Sequence, residues 1–252
     1  MAKVIAVYNQ KGGVGKTVLT WALAQLMEAD GLAVLSIDMD SQCSLTYTMT
    51  GSISHQDADI MRALLSPSLA GLSIRPTQGC GDIIPGSMQI DGLTLYARSW
   101  QQDTLLRDMI RCMPADMYDF ILLDCPPGVG LGNINALTAA DYLITPAHLD
   151  TYSIQGISGL MQTVRSITEH TNHDLRWLGV VITDYKPQLT LSRHLMQFLQ
   201  ERLAAVGVGV IGYPVRYTVR VREAICCHEL IDKKCKSFVD YKSILNAIKD
   251  MT

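Results

Sequence analysis

The chain has 252 residues, of which 48% are hydrophobic and 18% charged, and its formal net charge is −3. This composition indicates one folded domain of ordinary size and excludes a disordered chain. The small negative charge excludes a protein that attracts nucleic acid over its whole surface, so any DNA binding would need a local basic patch.

The cysteines and the apolar segments indicate a cytoplasmic protein. Seven cysteines are scattered without a C-x-x-C pair, which favours reduced thiols over a disulfide framework or a zinc ribbon. We expect the adjacent Cys226 and Cys227 to be buried or half-buried thiols. The first segment runs straight into a glycine-rich loop, so no signal peptide is expected. No apolar run approaches the ~20 residues that span a bilayer, so we expect no stable membrane insertion.

Strand-like and helix-like apolar segments alternate along the chain. This order predicts a single domain over residues 1–252 with an α/β fold, in which a doubly wound, mostly parallel sheet carries helices on both faces. Residues 49–100, which Gly, Ser, Pro and Asp punctuate, allow no clear assignment. The expected strands are 3–8, 33–38, 118–124, 141–147, 176–183 and 208–214, and the expected helices are 16–29, 101–113, 153–170 and 190–204.

Residues 9–18, NQKGGVGKTV, join the first strand to the first helix and have the pattern of a phosphate-binding loop. The glycines would let backbone N–H groups face phosphates, and the helix N-terminus would add its dipole. Lys16 would reach the β- and γ-phosphates, and the Thr17 hydroxyl would bind Mg²⁺. The loop is unusual because a second lysine precedes the glycines. The expected nucleotide-binding residues here are Lys11, Gly12, Gly13, Val14, Gly15, Lys16, Thr17 and Val18.

Carboxylates follow two of the expected strands. Asp38 and Asp40 stand two residues apart, so in an extended chain both face the same side. One would hold a metal-bound water and the other would position an attacking water. Asp124 ends another apolar strand just before the sharp break at 126–128, and we interpret it as the acid on the metal side. Ligands of such sheets bind at the carboxyl ends of the strands.

Three motifs in this order resemble the deviant Walker ATPases of the ParA/MinD family. The resemblance covers nearly the whole chain and implies a P-loop ATPase of the deviant Walker A class, with ATP and Mg²⁺ as cofactors. The implied reaction is attack of water on the γ-phosphate, which yields ADP and phosphate. The motifs are KGGVGKT at 11–17, DMDSQ at 38–42 and DCPP at 124–127, and further similarity lies at 82–86, 135–147, 152–156 and 219–224.

The resemblance also accounts for the second lysine. In this family the early lysine reaches across a dimer to the phosphates held by the other subunit, and Lys11 would be that residue. Two ATP molecules between two protomers would then bridge a homodimer in the ATP-bound state and make ATP a switch on dimerisation. Asp40 would orient the attacking water and Asp38 would support Mg²⁺. The implied catalytic residues are Lys11, Lys16 and Asp40, and the implied metal-binding residues are Thr17, Asp38 and Asp124.

The sequence departs from the family pattern at several positions. Val18 stands where the family often has a second Thr, and Ser41 where it often has Pro. VRYT at 215–218 aligns with the family's I-P-R-N. Pro214 and the loop from Thr183 are therefore candidates for the adenine pocket, and the choice of adenine rests on the resemblance alone.

ParA-like members of the family bind DNA without sequence preference as ATP-bound dimers. The resemblance thus implies non-specific DNA as a partner, together with a ParB-like or other adaptor protein that stimulates the ATPase. Phosphate contacts need only a basic patch, and a dimer doubles it. The alternative is a set of ordinary solvated arginines. The candidate DNA-binding residues are Arg193, Arg216, Arg220 and Arg222, with the lysine-rich run 233–236.

Several alternatives remain open at this stage. Because the first strand begins at residue 3, we expect the small ParA form without an N-terminal helix-turn-helix, nucleoid-associated if it binds DNA. MinD-like members bind membrane through a C-terminal helix, but the apolar stripe of 236–251 lies beside mixed charges, which favours packing on the domain. A kinase-like or amidoligase P-loop enzyme would need further acid/base residues, and the histidines form no motif. An iron–sulfur relative would need paired cysteines.

Overall fold

Seven strands form one sheet in the described part of the chain, which comprises residues 2–53, 59–96 and 102–252 of a computed structural model. The spatial order is β3-β4-β2-β5-β1-β6-β7, and all neighbours are parallel except β3 and β4. The predicted mostly parallel α/β sheet is confirmed. The strands are β1 (Lys3–Val7), β2 (Val34–Asp38), β3 (Arg75–Pro76), β4 (Asp82–Ile84), β5 (Phe120–Asp124), β6 (Tyr142–His148) and β7 (Arg176–Thr183).

Helices cover both faces of the sheet. They are α1 (Lys16–Ala29), α2 (Ser44–Thr50), α3 (Ile60–Leu65), α4 (Leu93–Tyr96), α5 (Leu105–Arg111), α6 (Leu131–Ala139), α7 (Thr151–His170), α8 (Thr190–Ala204), α9 (Val219–Cys227) and α10 (Lys236–Met251). Helices α1, α8 and α10 have the predicted bounds at 16–29, 190–204 and 236–251. Helix α5 is shorter than the predicted 101–113, and residue 101 lies outside the described residues.

Alternate residues of the central strands enter two separate apolar cores. In β1, Ile5 and Val7 pack into the core that contains α1 and α10, whereas Val4 and Ala6 face the core on the other side. Strand β5 alternates in the same way. A strand with buried side chains on both faces reads as a continuous apolar run, which explains why these strands could be recognised in the sequence.

The predicted strand at 208–214 is wrong. This segment comes after α8 and forms one isolated bridge, between Val210 and Val180 of β7. The next bridge, between Tyr185 and Arg216, lies beyond the segment. Gly212 has φ +62°, and a Cβ there would lie 2.8 Å from backbone atoms of Ile244 in α10. The close approach bends the segment away from regular pairing, although its apolar residues remain typical of a strand.

The unassigned stretch 49–100 contains short elements that sequence periodicity does not reveal. Helix α3, two 3₁₀ turns and the strands β3 and β4 are each seven residues or fewer. Residues 54–58 and 97–100 of this stretch lie outside the described residues.

The apolar stripe of α10 packs on the domain, as its sequence favours. Tyr241, Ile244, Leu245 and Ile248 are buried in the core that also contains α1. On the other side of the helix, Lys242 and Lys249 pair with Asp30 at the end of α1. Across the described ranges, no helix has the length and apolar character needed to cross a membrane.

Candidate functional site

The glycine-rich loop lies at the carboxyl edge of the sheet, between the end of β1 and the start of α1. Gly13 and Gly15 have φ values of +72° and +85°, which side chains with a Cβ rarely adopt, so both glycines are required by the turn. The Thr183 hydroxyl at the end of β7 donates to the Val14 carbonyl at 2.8 Å. This hydrogen bond therefore ties the loop to the end of β7.

Lys16 lies inside the loop. The residue is 7% exposed, and its Nζ donates to the Lys11 carbonyl at 3.2 Å. Burial lowers the pKa of the Lys16 ammonium, and the nearby Asp124 carboxylate partly offsets this. The amine thus has few solvent contacts to lose when it meets a phosphate, and the role of Lys16 in phosphate binding stays a prediction.

Asp38 and Asp124 face each other at the carboxyl ends of adjacent parallel strands. The two residues are direct register partners of β2 and β5, and both are fully buried. Asp38 accepts hydrogen bonds from the Thr46 backbone N–H at 2.8 Å, the Thr46 hydroxyl at 2.7 Å and the Asp40 backbone N–H at 3.1 Å. Burial raises the pKa of Asp38 to about 6, although the Thr46 bonds act in the opposite direction.

Asp124 is less well satisfied than Asp38. Burial, and next the Asp38 carboxylate, raise the pKa of Asp124 well above its usual range, while the Thr17 hydroxyl and Lys16 lower it. Within the described residues Oδ2 of Asp124 has no hydrogen-bond partner, and the Thr20 hydroxyl is 3.4 Å from Oδ1. A buried carboxylate oxygen in this state needs a proton or a cation.

These oxygen donors fit Mg²⁺. Hydroxyl and carboxylate oxygens are hard ligands, and Mg²⁺ is usually held by one or two carboxylates together with substrate phosphates. No cluster of three or more His, Cys, Asp or Glu side chains suited to a metal ion occurs in the described ranges. The site therefore suits a cation that is shared with a phosphate ligand and is not enclosed by protein alone.

Asp124→Asn should stabilise the nucleotide-free protein at neutral pH. Because the folded-state pKa of Asp124 is raised, the folded protein binds more protons than the unfolded chain between the two pKa values, and wild-type stability falls as pH rises. The asparagine removes the part of this dependence that Asp124 contributes, whereas Asp38 retains its own. We expect the variant to be more stable than the wild type at pH 8 and to differ little from it near pH 4, measured by urea unfolding with EDTA.

The control is Asp250→Asn, an exposed carboxylate at the end of α10. The free energy of unfolding of this variant should differ from that of the wild type by the same amount at pH 4 and at pH 8. A wild type that is more stable than Asp124→Asn at pH 8 would contradict the assignment of a destabilising buried charge.

Asp40 lies at the rim of the acid pair. The residue is half-buried, and its Oδ1 accepts the Gln42 backbone N–H at 2.9 Å. Its own N–H contacts Asp38, so the two predicted acids are joined through the backbone. The carboxylate is thus near the site but retains access to water.

Lys11 forms an ion pair that the sequence did not predict. Its Nζ lies 2.7 Å from Oδ2 of Asp150, and both side chains are about one-third exposed. The Lys11 backbone N–H also donates to Asn9 Oδ1 at 3.0 Å. The loop therefore carries one lysine inside and one at the rim, which separates the roles predicted for Lys16 and Lys11.

Other residues near the site were also missed because no motif marks them. Thr46 holds Asp38, and Asn9 donates from Nδ2 to the Pro146 carbonyl at 2.8 Å. His148 ends β6 beside Asp184, Lys11 and Asp150, and burial lowers the pKa of its imidazole. Only the position of His148 at a strand end could have indicated it.

Two of the four arginines predicted to bind DNA line a separate cleft of about 600 Å³. Arg216 and Arg220 line it, and Arg222 stacks on Tyr217, another lining residue, at 5.2 Å. Arg193 is exposed on α8 and is not among the lining residues. Pro214 is half-buried just before Val215, whose N–H and carbonyl pair with Ile182 and Tyr185. The cleft thus begins where the Pro214 segment meets the end of β7.

Two of the cysteine expectations are wrong. Cys226 and Cys227, at the end of α9, are exposed and not buried or half-buried. Helix α9 has only Val221 and Ala224 as buried residues, so its C-terminal turn lies at the surface.

The parallel sheet, the glycine loop and the paired strand-end acids define a P-loop nucleotide-binding protein. Residues 2–177 match the family described as "AAA domain", AAA_31. The chain is 32% identical to the sporulation initiation inhibitor protein Soj of Bacillus subtilis over 73% of each chain. It is 29% identical to the chromosome partitioning protein ParA of Caulobacter vibrioides, over 98% of this chain and 93% of that one. The chain belongs to the ParA/MinD family of deviant Walker A ATPases.

A solved structure shares the fold over nearly the whole chain. It is the cobyrinic acid a,c-diamide synthase of Mycobacterium smegmatis with bound ATP analogue and magnesium. The TM-score is 0.87 and the identity 25%, covering 99% of this chain and 94% of the other.

Proposed function

We propose that this protein is a Mg-ATP-dependent dimerising ATPase switch that partitions or positions DNA, or another cargo, through ATP-dependent non-specific DNA binding. The observation that carries the proposal is the separation of two lysines on one loop. Lys16 is buried at the loop centre, whereas Lys11 lies at its rim on an ion pair. A loop that served one nucleotide within one chain would not need the second cation.

The proposed hydrolytic step assigns a role to each residue of the candidate site. Lys16 and the loop N–H groups bind the β- and γ-phosphates, and the buried ammonium stabilises charge that develops on the γ-phosphate. Asp40 orients the water that attacks phosphorus in line with the leaving ADP oxygen. Thr17, Asp124 and Asp38 would hold Mg²⁺. The bound ion would neutralise phosphate charge and relieve the repulsion between the two buried acids.

The Lys11–Asp150 pair sets the starting state of the switch. To reach phosphates held by the other protomer, Lys11 must leave Asp150. A half-exposed ion pair contributes only about 0–1 kcal/mol, so the exchange for a phosphate contact is favourable. ATP bound by two protomers then holds the dimer, and hydrolysis weakens it. A ParB-like or other adaptor would accelerate that loss.

The basic cleft supports the DNA part of the proposal. Two tyrosines line the cleft beside its cations, and no acidic side chain lines it among the residues that the structure describes. Phosphate contacts by such a patch require no base recognition. Arg216 differs from the others, because it forms two bonds, of 2.9 and 2.7 Å, with the buried carboxylate of Asp240. The lining cations are Lys186, Arg216, Arg220, Lys234 and Lys236.

The protein should bind a random DNA duplex with Mg-ATP but not with ADP, and the affinity should fall steeply with salt. Each phosphate contact contributes a slope of about −0.9 in a plot of log K against log salt. Arg220→Ala and Lys234→Ala should weaken binding to every sequence alike and make the slope shallower by about 1 each. Fluorescence anisotropy across a salt series measures both quantities.

Arg165→Ala is the matched control, since Arg165 is an exposed arginine of α7 that does not line the cleft. Arg216→Ala is not suited to this test, because it would leave Asp240 buried without its partner. If an ATP-dependent dimer forms but binds no DNA, the switch stands and the DNA surface is withdrawn.

A small-molecule P-loop enzyme is the second candidate, favoured by the likeness to the synthase of Mycobacterium smegmatis. It predicts that a small substrate, and not DNA or an adaptor protein, accelerates ATP turnover. A MinD-like membrane function is less favoured, because the apolar stripe of α10 is buried in the core.

A further inference from the structure

A second cavity lies at the amino edge of the sheet, opposite the glycine loop. Its volume is about 610 Å³, within the range of about 300–1,000 Å³ typical of small-molecule sites. Its wall includes Lys3 at the start of β1 and Arg176 at the start of β7. Strand β1 separates this end from the loop by about 13 Å, at ~3.3 Å per residue. The cavity therefore cannot be part of the phosphate site.

Positive charge predominates in the cavity wall. Four cations line it, against the two carboxylates Asp141 and Asp174. Asp141 is already engaged, because it accepts the Val4 backbone N–H at 2.8 Å. The formal balance of these six groups is 4 − 2 = +2 with His173 neutral, whereas the whole chain carries −3. The four cations are Lys3, Arg107, Arg111 and Arg176.

Helix dipoles explain only part of this charge. The C-terminal ends of α5, α6 and α7 all reach the cavity, and arginines near such ends are stabilised by the free carbonyls. Arg107 follows this rule, since its Nη1 donates to the Thr171 carbonyl at 3.2 Å. Lys3 and Arg176 are on strands, however, and helix ends do not account for them. The Lys3 ammonium lies 5.5 Å from the centre of the Phe120 ring, and the Arg176 guanidinium lies 5.7 Å from that of Tyr142. In the described part of the chain neither cation pairs with a carboxylate, so both charges remain available to a ligand.

Hydrogen bonds within the wall hold part of the cavity in shape. The neutral wall is held rigid, because Asn172 Nδ2 donates to the carbonyls of Leu137 and Ala140 at 2.9 and 2.7 Å. Apolar side chains such as Ile110 complete the lining. An amphipathic anion would satisfy the cations and cover the apolar wall at once.

We propose that this cavity binds a small organic anion that carries phosphate or carboxylate groups on an apolar body. Guanidinium groups bind both kinds of anion through paired N–H donors, which is the chemistry the two share. The proposal is independent of the proposed ATPase switch, because the two sites share no lining residue named above.

The test uses phenyl phosphate and benzene-1,2-dicarboxylate, two probes with the same ring and different anionic groups. Each is titrated into the full chain saturated with Mg-ADP, so that the glycine loop is occupied. Amide NMR shifts should saturate at residues 138–141 and 171–174 for at least one probe. The double variant Arg111→Gln/Arg176→Gln should weaken that binding by about ten-fold or more, since charge-assisted contacts are lost. The tighter probe identifies phosphate or carboxylate.

The matched control is Arg165→Gln/Arg202→Gln, which removes the same charge from arginines outside the cavity. It should bind the probes as the wild type does. Both substituted cavity arginines are exposed, so folding should survive, and the unchanged spectrum elsewhere checks this. Absence of saturable shifts with both probes up to about 10 mM, or equal weakening by the two double variants, would overturn the proposal.

Discussion

Lys16→Ala is expected to abolish ATP binding at all practical concentrations. Lys16 is 7% exposed, and its ammonium donates back across the loop to the Lys11 carbonyl, so it is the cation placed inside the loop. Loss of two charge-assisted bonds of roughly 1.5–3 kcal/mol each predicts at least a hundred-fold loss of affinity. Isothermal titration with Mg-ATP measures the effect.

Two further variants make this result specific. Lys16→Gln keeps most of the side-chain volume and should lose binding as well, whereas loss from Lys16→Ala alone would indicate a packing defect. Lys11→Ala should leave ATP binding by one chain largely intact and remove only the ATP-dependent dimer. Near wild-type affinity in Lys16→Ala would disprove the phosphate-loop assignment.

Sequence periodicity predicted the central sheet because its strands are buried on both faces. The runs that became β1, β5 and β7 are nearly all apolar, and the order of strand and helix then fixes a parallel sheet. The same signal failed at 208–214, since an apolar run does not report that Gly212 lies against the backbone of α10. An apolar run shows that a segment is buried, but it does not show which neighbouring element prevents the segment from pairing as a strand.

The candidate site was predictable where chemistry and spacing coincide. Asp38 and Asp124 end adjacent strands, and a parallel sheet must bring such ends together. Asp150 and His148 could not be found this way, because their closeness to Lys11 depends on how the end of β6 turns. For Arg216 the sequence suggested a role in DNA contact from its charge alone. Only the structure reveals that its guanidinium pairs with the buried Asp240 carboxylate.

Asp40→Ala is expected to arrest hydrolysis and leave the protein as an ATP-bound dimer. The Asp40 carboxylate is half-buried next to the acid pair, and a group that orients or deprotonates water contributes about 10²–10⁴-fold to the rate. ATP binding should persist, because Lys16 and the loop glycines are untouched. Light scattering after incubation with Mg-ATP detects the dimer, and single-turnover release of ADP measures the rate.

The structural effect of this substitution can be separated from its chemical effect. Asp40 also accepts the Gln42 N–H, so alanine removes a local turn contact. Asp40→Asn retains an acceptor for that contact and should still be slow, because an amide cannot take a proton from water. Asp232 accepts the Lys234 backbone N–H at 2.9 Å, a contact of the same kind that lies away from the glycine loop. The Asp232→Ala variant loses this contact and should hydrolyse ATP at the wild-type rate. Normal turnover in Asp40→Ala would mean that another group orients the water. His148 would then be the first residue to replace, because it ends β6 beside Lys11.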